Sequence, residues 1–159
     1  MDTLRQLGIF ALASRMKRLA ERLKTEASKV YRDRGIDFND SWFLAAWMLS
    51  QHDGITASEM ADKLGVSRPA ISQMAAGMHS KGLITYEKDA EDGRRRRIVL
   101  TRKGRETVTA LEPLWKDVSD VTTGVVNETG VDFLSGLAGI EDAFDESSLS
   151  ERIEERNRR

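Results

Sequence analysis

The first part of the chain contains apolar residues that are spaced as on one face of a helix. Between residues 4 and 33 they recur every three or four positions, at Leu12, Met16, Leu19, Leu23, Ala27 and Val30. This period predicts an amphipathic helix over that range. Large apolar side chains predict a second helix from Asp40 to His52, which Asn39 or Asp40 would cap and Asp53-Gly54 would end.

Polar residues at fixed offsets predict two shorter helices in the next segment. Thr56 and Glu59 have the spacing of a capping box, so a helix is expected to begin here and to continue through Lys63. Gly65 supplies a turn. Ser67 is then expected to cap a further helix that carries Pro69 in its first turn, where the missing N–H costs no helical bond.

The helix after Ser67 has one apolar face and one polar face. Ile71, Met74 and Met78 share the apolar face. The face that points away from the core carries polar and small residues, namely Arg68, Ser72, Gln73 and Ala76. Such a helix is suited to entering the major groove of DNA.

The pattern changes from helical to alternating after Gly82. Residues 83–88 and 96–100 are β-prone, and the turn-rich residues 89–93 join them, which predicts a hairpin. Four consecutive arginines, Arg94 to Arg97, follow the turn. A basic hairpin beside two helices joined by a short turn matches a duplex, because the helix can fill the major groove and the hairpin the minor groove.

The remainder of the chain is predicted to be helical. Thr101 would cap a helix from Arg102 to Trp115 and onward, which Pro113 should kink or interrupt near residues 109–112. Ser148 and Glu151 would cap a last, polar helix. Between these two, Asp132 would start a helix with one apolar face, formed by Phe133, Leu137, Ile140 and Phe144. The fold is therefore expected to be mainly α with a small β-hairpin.

Composition places the chain among soluble helical proteins. Of its 159 residues, 40% are hydrophobic and 32% are charged, and none is cysteine. The lack of cysteine excludes disulfides, thiolate metal sites and cysteine-based sensing. No run of about 18 apolar residues predicts a membrane span, and residues 1–12 lack a signal-peptide pattern. We expect a cytoplasmic protein with no membrane partner.

Charge is unevenly distributed, although the net charge is only −1. Residues 55–105 hold 11 Lys and Arg against 6 Asp and Glu, and residues 1–35 hold 9 against 4, so each segment carries +5. Residues 106–150 hold 1 lysine against 10 acidic residues, which is −9. The local field steers a polyanion to one face. The positive charge of residues 88–105 coincides with the hairpin, whereas a solvated helix face accounts for that of residues 1–35.

The sequence gives little support for catalysis. His52 and His79 are the only histidines, and no carboxylate spacing beside them predicts a metal site. No Ser/His/Asp order predicts a nucleophile, and Gly136-x-x-Gly139 lies in a helical stripe rather than after a strand. We expect no enzyme activity, no catalytic or metal-binding residue and no cofactor.

The order of these motifs resembles the MarR (multiple antibiotic resistance regulator) family of bacterial transcription factors. The resemblance extends over about residues 5–145, and the opening helix and residues 111–115 are similar to the subgroup that is often fused to an acetyltransferase. The motifs that carry it are residues 55–61 before Leu64-Gly65-Val66-Ser67, then Lys81-Gly82-Leu83-Ile84, Asp92-Gly93-Arg94-Arg95 and Leu100-Thr101-Arg102-Lys103-Gly104.

The resemblance implies a winged helix-turn-helix protein that forms a homodimer through its N- and C-terminal helices. Residues 1–35 and 106–159 would be the dimerisation helices, residues 36–105 the DNA-binding lobe, and the whole chain one compact domain. The two lobes would bind successive major grooves of double-stranded DNA, and the family pattern implies that Asp92 orients Arg94. Dimer contacts are expected from Leu12, Met16, Leu19, Phe133, Leu137, Ile140 and Phe144.

Residues of the DNA-binding lobe have distinct expected contacts. Arg68 would reach a phosphate or a guanine edge, Gln73 an adenine, and Ser72 a base or a phosphate. Arg94 is the candidate for the minor groove. For Arg97 two roles stay open, a contact with DNA and a solvated charge on a strand face. Phosphate contacts are expected from Lys88, Arg95 and Arg96, and Ser67 and Pro69 complete the predicted interface.

Two departures from the family pattern predict fewer direct base contacts. Pro69-Ala70 stands where relatives usually carry Ser or Thr, and Gly77 stands where they often carry Arg. Gly77 also weakens the helix by roughly 1 kcal/mol relative to Ala, so close backbone approach or tight packing must compensate. We therefore expect more reliance on DNA shape.

Similar regulators bind small aromatic or anionic molecules in a crevice between the dimer helices and the DNA-binding lobe. Such an effector crevice could be lined here by Tyr31, Trp42, Phe43, Trp47 and His79, and the alternative is a filled core.

Two other functions stay open: a winged helix that binds an acidic protein through its basic hairpin, and a regulatory module that acts on a separate acetyltransferase. The sequence favours a DNA-binding regulator that represses or activates genes by reading a pseudo-palindromic operator, and repression is the expected sign.

Overall fold

The computed structural model describes residues 2–89 and 92–159, so Ala90 and Glu91 of the predicted turn lie outside the described residues. Within these two ranges, no helix combines the length and apolarity that crossing a membrane requires. The helices are α1 (Thr3–Gln6), α2 (Leu12–Asp33), α3 (Phe43–Gln51), α4 (Ala57–Leu64), α5 (Arg68–Ser80), α6 (Arg102–Asn127), α7 (Phe133–Glu146) and α8 (Leu149–Arg158). Short 3-10 helices cover Gly8–Ala11 and Asp40–Trp42.

Three strands form one antiparallel sheet in the order β1-β3-β2, with β1 at Ile55–Thr56, β2 at Ile84–Lys88 and β3 at Arg96–Leu100. The predicted hairpin is β2-β3, in which Ile84 faces Leu100 and Lys88 faces Arg96. The mainly α fold with a small β wing is therefore confirmed. Strand β1 was not predicted, because two residues are too few to show a period. It pairs through Ile55 with Ile98 of β3.

The predicted single helix over residues 4–33 is wrong at its start. Gly8 has φ of +55°, a left-handed conformation that a helix cannot contain and that glycine adopts without steric cost. Helix α1 consequently ends at Gln6, and α2 begins at Leu12. Arg18 of α2 donates a hydrogen bond of 2.7 Å to the carboxylate of Asp2, which also caps α1.

A kink or an interruption was predicted near Pro113, and the interruption does not occur, because α6 continues through this residue. The kink stays a prediction. A proline inside a helix removes one hydrogen bond and crowds the preceding turn. Buried apolar residues flank it, since Leu111, Leu114 and Trp115 are each at most 9% exposed. Burial of these side chains offsets the lost hydrogen bond, so the helix persists.

The contacts divide the chain into two units, residues 1–113 and residues 114–159. The first unit contains a hydrophobic core, to which α4, α5, β2 and β3 contribute. Its largest fully buried side chains are Met60, Ile71, Met78, Ile84 and Ile98. In the second unit, α7 and α8 bury no residue. Ser148 caps α8 as predicted, by accepting a hydrogen bond from the Glu151 N–H. Asp132, where a helix was expected to start, caps α7 by accepting from the Ser135 N–H.

Candidate nucleic-acid interface

Helix α5 begins and orients as the sequence predicts. The Ser67 hydroxyl accepts a hydrogen bond of 3.3 Å from the Ala70 N–H, and Pro69 lies in the first turn. Ile71 and Met78 are buried while Met74 is half-buried. The opposite face therefore projects its side chains into solvent, and it carries Arg68, Ser72, Gln73 and Ala76, all of them exposed.

Gly77 fixes how α5 packs on the lobe. A Cβ atom at this position would lie 2.9 Å from Cζ2 of Trp42 and 3.3 Å from its Nε1. The Trp42 ring is itself only 8% exposed and meets Phe38 edge-on at 5.8 Å between ring centroids. The missing side chain lets the tryptophan ring approach the helix backbone, which is the close packing expected to compensate for the glycine.

A capping box starts α4, the helix before α5. The Thr56 hydroxyl accepts from the Glu59 N–H at 3.2 Å, and the Glu59 carboxylate accepts from the Thr56 N–H at 2.9 Å. These bonds lower the pKa of Glu59, with the Thr56 N–H as the largest cause, the Thr56 hydroxyl second, and Arg95 and Arg97 adding smaller attractions. Gly65 ends α4 with φ of 63°, as predicted. The two helices of the helix-turn-helix are thus held by local hydrogen bonds.

Two aspartates beside the turn of the wing accept hydrogen bonds from backbone amides. Asp89 Oδ1 accepts from the Asp92 N–H at 2.9 Å, and Asp92 Oδ1 accepts from the Arg94 N–H at 3.0 Å. The other oxygen of Asp92 forms an ion pair of 3.5 Å with Nε of Arg95. The Asp92 side chain therefore contacts the backbone amide of Arg94, and it forms its ion pair with the guanidinium of Arg95.

Arg97 differs from the arginines before it. Its Nη2 donates a hydrogen bond of 2.5 Å to the carbonyl oxygen of Gly54, and its Nε lies 3.8 Å from Oδ2 of Asp89. The side chain is 36% exposed, whereas that of Arg95 is 65% exposed. Arg94 and Arg96 are also exposed. The structure thus gives Arg97 partners within the protein.

One cleft brings the start of α5 and the wing together. It has a volume of about 580 Å³, and its walls include Arg68 of α5 with Arg95 and Arg96 of the wing. The acidic side chains of Glu59 and Asp62 also line it. The two parts of the predicted interface therefore open to the same side of the lobe. Lys88 is exposed on β2 opposite Arg96, and Ser67 and Pro69 are exposed at the start of α5.

The five residues predicted to line an effector crevice lie in different surroundings. Tyr31 and Trp42 are buried and linked through Phe38, whose ring centroid lies 5.5 Å from that of Tyr31. Phe43 is half-buried, and Trp47 is 50% exposed. His79 lies beside Tyr86, with ring centroids 5.5 Å apart. Tyr31 and Trp42 thus form part of a packed aromatic cluster, and the effector crevice stays a prediction.

The predicted dimerisation residues leave apolar surface on each unit. In the first unit Met16 is 41% and Leu19 is 49% exposed, and Leu12 is half-buried. In the second unit Phe133, Ile140 and Phe144 are between 42% and 52% exposed, and Leu137 is half-buried. Large apolar side chains exposed at helical spacing are typical of surfaces that pack against another element.

Sequence reasoning missed the contacts that join distant segments. The bond from Arg97 to Gly54 spans 43 residues, and the close approach of Trp42 to Gly77 spans two separate helical segments. A signal for the first exists in the alternation of β3, since buried Ile98 and Leu100 turn Arg97 and Val99 to the opposite face. That alternation does not reveal which segment covers the opposite face.

Part of the first unit matches a known family. Residues 36–95 match the model of the MarR family, and they include α4, α5 and β2 but end before β3. No curated protein matches the sequence. The order of α4, α5 and the wing is the winged helix-turn-helix arrangement that the family resemblance implied.

Solved structures of transcriptional regulators share the fold. The transcriptional repressor CouR, bound to a 23-mer DNA duplex, is 25% identical, with a TM-score of 0.69 over 82% of this chain and 92% of its own. The M. tuberculosis regulator MOSR in complex with DNA is also 25% identical, with a TM-score of 0.69 over 87% and 98%. PcaV from Streptomyces coelicolor, in complex with its natural ligand, is 21% identical, with a TM-score of 0.65 over 83% and 95%. The chain therefore has the winged-helix fold of MarR-type transcriptional regulators.

Proposed function

We propose that this protein is a homodimeric MarR-family repressor that binds a pseudo-palindromic DNA operator through α5 and the wing. The observation that carries the proposal is the shared cleft, because Arg68 of α5 and Arg95 and Arg96 of the wing line the same surface. A duplex presents its phosphates on both sides of the groove that a recognition helix enters. Basic side chains on the helix and on the wing can therefore contact one duplex together.

In this proposal the exposed face of α5 reads bases and the wing holds the backbone. Gln73 has the side-chain amide that pairs with adenine through two hydrogen bonds, and Arg68 can pair with guanine or a phosphate. Ser72 contacts a base or a phosphate. Arg94 enters the minor groove, where narrow A·T-rich DNA concentrates negative potential, while Lys88, Arg95 and Arg96 contact phosphates. Ser67 and Pro69 border the duplex at the start of α5.

The exposed apolar stripes support a dimer. Met16 and Leu19 on α2, and Phe133, Ile140 and Phe144 on α7, would lose their solvent exposure in the contact between two copies. A two-fold axis then places two copies of α5 in successive major grooves, with half-sites about 10 base pairs apart centre to centre. Leu19→Glu should shift the protein from dimer to monomer in sedimentation, and an unchanged dimer would remove α2 from the interface.

DNA selection tests the function directly. Duplexes enriched from a random pool by the purified protein should converge on a sequence with two-fold symmetry. Binding to the enriched duplex should weaken steeply with salt. If Arg68, Lys88, Arg95 and Arg96 all meet phosphates in both lobes, the slope of log K against log salt approaches about −7. A pool that shows no enrichment, or a slope near zero, would contradict the proposal and favour the acidic-protein partner.

A small aromatic or anionic effector is the second part of the proposal, supported by the ligand complex of PcaV and by the exposed ring of Trp47 near buried Trp42 in sequence. Binding to the native state must raise its stability. A panel of phenolic carboxylates should raise the melting temperature or change the tryptophan fluorescence.

The three solved structures named above give no support to a relationship with the acetyltransferase-fused subgroup. Co-purification of this protein with an acetyltransferase is the measurement that would support that alternative.

A further inference from the structure

A chain of polar contacts ties the tip of the wing to the loop after α3. We call it the wing brace, and it consists of Gly54, Asp89, Asp92 and Arg97. Arg97 donates to the Gly54 carbonyl at 2.5 Å and lies 3.8 Å from the Asp89 carboxylate. Asp89 accepts from the Asp92 amide at 2.9 Å, and Asp92 accepts from the Arg94 amide at 3.0 Å. The brace therefore begins at a buried glycine and ends at the backbone of the wing-tip arginine.

The surroundings of Gly54 provide an independent observation. A Cβ atom here would lie 2.7 Å from Cγ1 of Val99 and 3.3 Å from Nε of Arg97. The residue has φ of +114°, a backbone conformation that side chains other than glycine rarely adopt. The loop thus offers its carbonyl oxygen to Arg97 and lets the base of that side chain pack on it. Both the hydrogen bond and the packing hold Arg97 against the lobe.

The geometry points to Arg97 and Asp89 as positioning residues, which fix the wing tip for DNA and make no phosphate contact themselves. This inference rests on the proposed function. The Nε and Nη2 edge of the Arg97 guanidinium, through which a phosphate could accept two hydrogen bonds, already faces Asp89 and Gly54. Asp89 has a side chain only 19% exposed, so its charge is held near the protein and needs a cationic partner to offset its desolvation. Without Arg97, the Asp89 carboxylate loses a cationic group 3.8 Å away.

Three binding measurements separate positioning from direct contact. The probe is a labelled duplex enriched by the wild-type protein, titrated at several salt concentrations. Asp89→Ala removes a negative charge beside a polyanion, so simple electrostatics predicts tighter binding. We expect binding about tenfold weaker instead, through loss of wing contacts. Asp62→Ala, which removes an acidic side chain from the cleft itself, is the charge-matched control and should bind more tightly.

The second measurement keeps the charge. Arg97→Lys retains a cation but lacks the planar group that can meet Gly54 and Asp89 together, so we expect binding several-fold weaker with little change in melting temperature. In the third, Arg97→Ala is added to a variant that already carries alanine at Lys88, Arg94, Arg95 and Arg96. With the contacting residues of the wing already absent, the addition should change neither the affinity nor the salt slope.

The outcomes distinguish this inference from the proposed function. In the third measurement, adding Arg97→Ala could reduce the magnitude of the salt slope further, by about 0.9 for each lobe. That result would make Arg97 a phosphate contact and overturn the inference. Tighter binding by Asp89→Ala would also overturn it, as would wild-type affinity for Arg97→Lys. A wild-type protein that enriches no duplex contradicts the proposed function itself, before any variant is measured.

Discussion

Replacing Gly77 with alanine tests whether the recognition helix is seated by close contact with Trp42. In an exposed helix interior, Gly→Ala stabilises by about 0.8–1.0 kcal/mol. Here the added methyl group would lie 2.9 Å from Cζ2 of Trp42, nearer than carbon atoms approach without repulsion. The ring also meets Phe38 edge-on at 5.8 Å between ring centroids and is only 8% exposed, so it has little room to turn away. Overpacking of this kind costs about 1–3 kcal/mol.

The difference between these effects leaves Gly77→Ala less stable than the wild type by up to about 2 kcal/mol. Urea unfolding followed by circular dichroism, at one protein concentration, measures it. Gly124→Ala is the matched control, because a Cβ atom at this position of α6 meets nothing within 4 Å. It should gain up to about 1 kcal/mol provided that sedimentation shows the same oligomer. Trp42→Phe in the Gly77→Ala background should recover stability, since the smaller ring leaves room for the methyl group.

The reasoning fails if Gly77→Ala stabilises the protein as much as Gly124→Ala does. It also fails if the penalty is the same with Trp42 and with Phe at that position, because the cost would then lie in the helix itself. A double-mutant cycle reports this coupling directly, since residues in contact show non-additive free energies.

Three further predictions concern the interface and its supports. Arg94→Ala should weaken duplex binding and reduce the magnitude of the salt slope by about 1 for each lobe, and an unchanged slope would remove the wing tip from the contact. Gln73→Ala should lose about 1–3 kcal/mol of discrimination at one base pair per half-site, measured with duplexes substituted position by position, while equal losses on all sequences would contradict base reading. Glu59→Gln should remove a pH dependence of stability. The Thr56 amide lowers the pKa of Glu59, so the carboxylate stabilises the fold fully above its ordinary pKa of 4.5 and loses that contribution as the pH falls through the lower folded value. Acid unfolding of the two proteins should converge at low pH, and a constant difference would exclude the effect.

Features set by neighbours in sequence were predicted well. The capping boxes at Thr56 and Ser148 each depend on two residues three positions apart, and both form. The two strands of the hairpin were found from the alternation, and Ser67 begins α5 as expected. These elements are satisfied by hydrogen bonds within one or two turns of chain, so local spacing is sufficient to find them.

Errors arose where backbone conformation or packing opposed the apolar period. The stripe through residues 4–33 gives no sign that Gly8 adopts a positive φ, since a helix interior tolerates glycine at a modest cost. At Pro113 the error has the opposite direction, since the predicted interruption is absent and α6 continues through a residue that usually breaks a helix, with buried neighbours beside it. In each case something other than the spacing of apolar residues decided whether the helix continued.

The run of four arginines shows why the sequence predicts the candidate site only in part. Counting the run as positive charge treats its members alike, but they differ in what holds them. Asp92 pairs with Arg95, and Gly54 and Asp89 hold Arg97. Strand alternation separates Arg97 from the buried Ile98, yet only the contact across 43 residues shows that its guanidinium meets Gly54. A wing that only attracted DNA would gain from each added cation. A wing that must also hold a defined position needs some of its cations to face the protein, and the acidic residues beside them then support DNA binding by ordering the wing instead of opposing it by repulsion.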